Sequence, residues 1–357
     1  MKKKLTNILK VIFLIIIAVI LLFFLIRSII SHNTLKNSTS KNKVSELQQI
    51  KLQNKMQTVL LEGKSKDLPI LITVHGGPGT PIPFSIGARN AFPELTDKYI
   101  MVYWDQYGCG KNYSPLNNEI TIENYVNMLA DLVMEIRKQY PDNKIYLLGM
   151  SWGSILTCKV SNRLPDIISG VIVYGQIVNN LGKNEDAYNQ LIRCNLKKEE
   201  RQVLDQVMKS DNCDFESRLE VYSLIGKYTN GYFYKDKGES NSKIYKLILG
   251  MFFSPDYTLT DAYNSLIGGN KNVQMNSNLL KEMFNTDLSK ELSNVKIPYL
   301  ILQGKEDTIA STSTVETLAS HSNNPNLKVK VLEKSGHIPT NNCFKKIIDT
   351  VINYQTK

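Results

Sequence analysis

The chain has 357 residues, 42% hydrophobic and 21% charged, a composition that excludes a disordered polypeptide. Its 43 Lys+Arg against 33 Asp+Glu give a formal net charge of +10, which taken whole would fit a nucleic-acid or anionic-membrane partner. Eight of those basic residues and no acid fall within residues 1–44, leaving 35 basic and 33 acidic residues in the rest, and that distribution argues against a nucleic-acid-binding domain.

Residues 11–26, VIFLIIIAVILLFFLI, are apolar without interruption. With Ile8, Leu9, Ile29 and Ile30 the stretch covers 23 positions, enough to cross a hydrocarbon core of about 30 Å at about 1.5 Å per residue. A cleaved signal peptide would have a core of about 7–15 residues and a small-x-small site, which Arg27-Ser28-Ile29-Ile30-Ser31 does not offer. The expectation is an uncleaved transmembrane anchor over residues 1–30. Lys2, Lys3, Lys4 and Lys10 lie before or at the start of the span, while Arg27 and Lys36 follow closely. The positive-inside rule then predicts a single-pass protein of the cell membrane, with a cytoplasmic N-terminus and an extracellular domain. Residues 31–44 are polar and predict a tether. Cysteines at 109, 158, 194, 213 and 343 are odd in number and irregular in spacing, and demand neither a disulfide framework nor a zinc cluster.

Beyond the tether, strands are predicted at Thr58–Leu61 and Ile70–Val74. The second ends in His75-Gly76-Gly77-Pro78-Gly79. Gly76 and Gly77 would let backbone N–H groups approach a ligand carbonyl; the competing reading is an ordinary loop with His75 as a structural hydrogen bonder. A phosphate-binding loop is disfavoured, since no G-K-[ST] or G-x-G-x-x-G follows. A strand at Ile100–Trp104 precedes a helix over 122–139, with Ile122, Val126, Leu129, Val133 and Ile136 on one face, Thr121 as N-cap and Pro141 beyond the end. The strand Lys144–Leu148 runs into Gly149-Met150-Ser151-Trp152-Gly153. A G-x-S-x-G between a strand and a helix is the nucleophile elbow pattern of α/β hydrolases: a serine on a strained turn, followed by a helix whose first N–H groups point at a developing oxyanion.

After a strand at Val171–Tyr174 the alternation stops. Residues 178–290 are polar, helical in pattern and rich in tyrosine, and predict a helical cap inserted between two parts of the core, 45–177 and 291–357. Strands resume at Tyr299–Leu302 and Leu327–Leu332, and a helix is predicted at Asn342–Tyr354. The whole predicts an α/β fold with a mostly parallel sheet and helices on both faces.

In such a fold the chain order is serine, acid, histidine. Of the four histidines only His321 and His337 follow Ser151. His337 is favoured, because it follows a strand and the loop Lys334-Ser335-Gly336, whereas His321 falls on a surface helix. Asp307, just past the strand Tyr299–Leu302, is the favoured acid and Glu306 its close competitor.

These motifs, with Trp104-Asp105-Gln106-Tyr107-Gly108-Cys109-Gly110-Lys111 and Gly304-Lys305-Glu306-Asp307, resemble the proline iminopeptidase group of α/β hydrolases. The resemblance implies a serine hydrolase with an oxyanion hole formed by the N–H groups of Gly77 and Trp152, and it makes Asp105 an organiser of loops beneath the site. Two departures stand out. Tyr107 replaces the family's arginine, and none of Glu185, Asp186, Glu199 and Glu200 aligns with a carboxylate that would bind a substrate amine. The resulting expectation is a membrane-anchored aminopeptidase acting on short peptides through Ser151, His337 and Asp307, without metal or organic cofactor. The alternatives are an esterase for small acyl compounds on the same residues, or a tethered binding protein on an inactive scaffold. Oligomeric state and residue preference are not legible.

Overall fold

The computed structural model describes residues 2–210, 213–236 and 238–354. Among these, eight strands form one sheet: β1 (Val44–Leu52), β2 (Lys55–Gly63), β3 (Ile70–Val74), β4 (Ile100–Trp104), β5 (Ile145–Met150), β6 (Ile168–Tyr174), β7 (Tyr299–Gly304) and β8 (Leu327–Leu332). Their spatial order is β1-β2-β4-β3-β5-β6-β7-β8. The first two pairings are antiparallel and the rest parallel. β3, β4 and β5 are buried at every residue, as strands must be when helices cover both faces of a parallel sheet. Val74 is level with Trp104 and Gly149, and Met150 with Tyr174, which pairs with Leu302. The loops after these strands therefore open at one sheet edge, where open α/β sheets place their sites.

The helices are α1 (Lys2–Lys41), α2 (Pro93–Thr96), α3 (Ile122–Gln139), α4 (Trp152–Arg163), α5 (Glu185–Leu191), α6 (Lys198–Lys209), α7 (Phe215–Tyr228), α8 (Ser242–Met251), α9 (Leu259–Tyr263), α10 (Gly269–Gln274), α11 (Ser277–Phe284), α12 (Ser289–Ser293), α13 (Thr312–Ser322) and α14 (Asn341–Ile352). α3 starts as its sequence dictates: the Thr121 hydroxyl accepts from the Asn124 N–H, and the Asn124 side chain accepts from the Thr121 N–H. Ile122, Val126, Leu129, Val133 and Ile136 are all buried against the sheet. α5 to α12 lie between β6 and β7 and form the cap. It touches the core's last loop through one parallel bridge, Phe233 to Ile338.

Two segments differ from expectation. Residues 31–41 continue the helix instead of forming a tether, and β1 starts at Val44. Tertiary contacts override the weak local signal: Ser38 donates to Glu62, Asn42 Nδ2 reaches Glu62 at 3.2 Å, and Ser31 Oγ donates to the Phe253 carbonyl at 2.8 Å. β1 has no strand pattern in the sequence because an edge strand buries few of its residues; in VSELQQIKL only Val44, Ile50 and Leu52 are buried. α1 is long and apolar enough to cross a membrane. Its Arg27 donates to the carbonyls of Phe252 and Tyr257, and Phe23 packs on Phe253 with ring centroids 5.8 Å apart.

Candidate active site

Ser151 sits between β5 and α4 with φ 49° and ψ −118°, a strained backbone that projects its side chain out of the turn. The turn is held by Ser151 N–H donating to Tyr174 O at 3.0 Å and Ser154 N–H to Ser151 O at 2.7 Å. Gly153 is required by contact, since a Cβ there would overlap the Val74 carbonyl oxygen. Close passage of β3 beneath α4 thus explains the second glycine of the motif.

His337 Nε2 lies 2.7 Å from Ser151 Oγ, and His337 Nδ1 lies 2.8 Å from Asp307 Oδ2. Asp307 is fully buried. Its Oδ1 accepts from the N–H groups of Ile309 and Ala310, each at 3.0 Å, and its Oδ2 also accepts from Gln303 Nε2 at 3.0 Å. An acceptor-only carboxylate on Nδ1 places the proton there and leaves Nε2 to accept from the Ser151 hydroxyl. The structure thus brings Ser151, His337 and Asp307 together. It leaves His321 on α13 and Glu306 beside Gln190, 3.4 Å from that amide.

The glycine-rich turn lies against the serine: a Cβ on Gly76 would sit 3.3 Å from Ser151 Cβ. Gly77 has φ +112°, and a Cβ there would lie 2.7 Å from Gly79 N, so glycine is the residue that fits. Among the described residues no protein acceptor takes the Gly77 N–H. Trp152 opens α4, where a first-turn N–H has no intrahelical partner.

Three buried glutamines that sequence reasoning passed over brace these pieces. Gln106 donates to His75 O at 3.0 Å and accepts from Trp152 Nε1 at 2.8 Å, tying the early turn to the serine helix. Gln176 donates to Ser154 Oγ at 3.3 Å, and its own N–H donates to Gln303 Oε1 at 3.1 Å. Gln303 in turn donates to Asp307. Their only signal in the sequence is an amide near the C-terminal end of a strand: Gln106 and Gln176 two residues past β4 and β6, and Gln303 within β7.

His75 is buried; its Nδ1–H donates to Gly76 O at 2.7 Å and its Nε2 accepts from Gln106 N–H at 2.9 Å. Burial depresses its pKa from 6.5 to about 4, opposed by the Gly76 bond. Asp105 is buried nearby, accepting from Ile86 N at 3.0 Å, Lys111 N at 2.8 Å and the Tyr257 hydroxyl at 2.5 Å. These bonds join two core loops to the cap. Burial raises its pKa from 3.8 to about 6, against the lowering effect of those donors. The two shifts oppose one another. Neutral His75 contributes stability that is present above pH 6.5 and lost as pH falls to about 4, an effect of about 3 kcal/mol. Asp105, raised, favours the fold as pH falls from about 6 to 3.8. His75→Gln is expected to flatten only the first effect, so its stability difference from wild type narrows on acidification. Parallel melting profiles from pH 6.5 to 4 would refute the assignment.

Tyr107, where the resembled family has arginine, donates to Ser114 Oγ at 3.0 Å, and Lys55 Nζ lies 4.5 Å from its ring centroid. Of the four cap acids singled out in the sequence, Asp186 accepts from Ser311 and Ser313, Glu200 is bound by Lys197, Lys227 and Tyr228, and Glu185 and Glu199 are exposed. The cap reaches the site elsewhere. Gly231 O and Tyr232 O accept from the N–H groups of His337 and Ile338 at 2.8 and 2.9 Å, and the Tyr232 ring lies 6.1 Å from that of His337. Tyr174 OH holds the other side, donating to Gly336 O at 2.6 Å and pairing with Ser335 Oγ at 2.8 Å. A Cβ on Gly336 would press on the carbonyls of Asn230, Gly231 and Tyr232. Gly336→Ala is therefore expected to displace His337 and lower kcat about 100-fold. An unchanged kcat would show that the cap segment yields freely. Among the described residues no cluster of three or more His, Cys, Asp or Glu is placed to hold a metal ion.

A sequence profile of the alpha/beta hydrolase fold matches residues 69–340. A probable aminopeptidase of Bacillus subtilis (strain 168) is 23% identical over 304 residues, covering 84% of this chain and 92% of that protein. The crystal structure of a proline iminopeptidase of Mycobacterium smegmatis superposes with TM-score 0.56 at 17% identity, covering 87% of this chain and 97% of that one. That of a membrane phospholipase A gives 0.58 at 16%, covering 99% and 100%. With the sheet order, the serine turn and the profile match in agreement, the chain belongs to the α/β hydrolase fold family and is a hydrolase.

Proposed function

We propose that this chain is a membrane-anchored serine hydrolase of aminopeptidase type, releasing N-terminal residues from short peptides. The observation that carries the chemistry is the relay from Ser151 Oγ through His337 to Asp307, at 2.7 and 2.8 Å. Ser151 Oγ attacks the scissile carbonyl as His337 Nε2 takes its proton; Asp307 keeps the imidazole oriented and stabilises its cationic form. The oxyanion is held by the N–H groups of Gly77 and Trp152. His337 then protonates the leaving amine, and water attacks the acyl-serine by the same relay. The peptidase assignment is supported by the motifs shared with proline iminopeptidases and by the aminopeptidase name of the Bacillus relative. The anchor is the apolar run of α1, and the lysines before it support a cytoplasmic N-terminus and an outward catalytic domain.

A second reading, an esterase for small acyl compounds, is favoured by Tyr232 beside His337 and by the engagement or exposure of Glu185, Asp186, Glu199 and Glu200, because an ammonium group needs a charged partner. Detergent-solubilised full chain, assayed on aminoacyl-amides beside matched N-blocked esters, separates the two. Release of the N-terminal residue from the amides is expected; turnover of esters alone would defeat the peptidase reading and leave the serine chemistry standing.

A further inference from the structure

α8 carries no acidic residue, and Lys243, Tyr245, Lys246 and Leu249 are exposed along it. Tyr245 and Leu249 are 58% and 61% exposed, unusual for apolar side chains four residues apart on a helix whose opposite face holds Met251 in the core. The position of α8 explains the pattern. Ile30 and Thr34 of α1 face Lys243, Lys246, Leu247, Gly250 and Phe253 across an open groove of about 480 Å³ whose far wall holds Arg89 and Glu94. Arg27 and Ser31 bind the carbonyls of Phe252, Phe253 and Tyr257 in the segment that follows α8. α8 thus lies beside the part of α1 where its uninterrupted apolar run has just ended, the depth at which a spanning helix passes from hydrocarbon into headgroups. At that depth a tyrosine and a leucine suit the interfacial layer, while lysine stems snorkel and their ammonium groups meet lipid phosphates. The acid in the groove wall, Glu94, belongs to α2 and not to α8.

We propose that α8 rests on the anionic headgroup layer of the bilayer that α1 enters, holding the cap at the membrane surface. This rests on reading α1 as a membrane anchor. α8 is then a second, interfacial contact of the kind made by short amphipathic helices with cationic and aromatic exposed faces.

Trp104 and Trp152 are both buried, so Tyr245→Trp adds an exposed reporter. Full-length protein would be reconstituted in vesicles of phosphatidylcholine with phosphatidylglycerol, with and without brominated phosphatidylcholine, and the wild-type signal subtracted. The added emission is expected to shift to shorter wavelength and to be quenched by the brominated lipid. Quenching should weaken when Lys243→Glu and Lys246→Glu are added, and weaken less in vesicles of phosphatidylcholine alone. Leu249→Trp provides an independent reporter should Tyr245→Trp fold poorly. Reporters that stay unquenched while the protein floats with the vesicles would overturn the proposal and leave the anchor intact. Quenching indifferent to both charge reversals would overturn the anionic contact. Emission that depends on the protein-to-lipid ratio but ignores bromine would assign this face to a second copy, with the same consequence. A chain that does not float at all would instead overturn the anchor reading beneath it.

Discussion

Ser151→Ala is expected to lower kcat by roughly 10⁴- to 10⁶-fold on every substrate the wild type cleaves. The magnitude follows from how the three groups act as a unit: without the hydroxyl, His337 has no proton to take at Nε2 and Asp307 orients an idle imidazole. The fold should survive the change. Among the described residues Ser151 Oγ has one hydrogen-bond partner, His337, so the expected loss of stability is about 1 kcal/mol. Alanine meets the same φ of 49° as the native serine, so little additional backbone strain is introduced. A fluorophosphonate probe should label the wild type at Ser151 and leave the variant unlabelled. Full turnover by the variant would remove Ser151 from the mechanism. A wild type that neither labels nor turns over substrate would revive the inactive-scaffold alternative, despite the short relay distances.

Arg89→Ala is expected to be the most destabilising single change, at about 3–5 kcal/mol. Arg89 Nε and Nη2 donate to the two Asp256 oxygens at 2.6 and 2.9 Å, Nη1 donates to Ser45 Oγ at 2.6 Å, and the paired side chains are 2% and 4% exposed. Removing the guanidinium leaves the Asp256 carboxylate buried without a counter-charge. It also loosens a seam, because Ser45 is the second residue of β1, Ser38 near the end of α1 pairs with Ser45 at 2.8 Å, and Ser38 also donates to Glu62. Burial raises the Glu62 pKa, with Arg89 among the groups holding it down, so the loss of Arg89 makes Glu62 costlier to keep ionised. Chemical denaturation at neutral pH should show the loss directly. Arg89→Ala with Asp256→Ala should recover part of it, since the orphaned charge goes too. A cost below about 1 kcal/mol would mean that water reaches this pair and screens it as it does a surface bridge.

Sequence and structure contributed differently to each part of this protein. The largely apolar runs of Ile70–Val74, Ile100–Trp104 and Lys144–Leu148 were legible as strands because both faces of a central parallel strand are buried, leaving few polar residues in them. Ser151, His337 and Asp307 were legible because each falls just beyond a strand, in the chain order that this sheet imposes on such a site. β1 was not legible, since an edge strand keeps polar residues on its open side, nor was the helical course of residues 31–41, which depends on partners at Glu62 and Phe253 far along the chain. The roles of Gln106, Gln176 and Gln303 were equally hidden: an amide carries no periodicity, and its use depends on which loops end within about 3 Å of it.

By itself the sequence determined the α/β class, the positions of the central parallel strands, the insertion of a cap and an N-terminal helix apolar enough for a membrane, because hydrophobic period and glycine-serine turns are local properties. Only the tertiary structure decided that cap residues 231–233 pin the His337 loop, that Asp105 joins core to cap through Tyr257, and that α1 docks against the segment after α8. Those are contacts between residues from about 100 to 230 positions apart, and their energies depend on burial and hydrogen-bond geometry that no local pattern encodes.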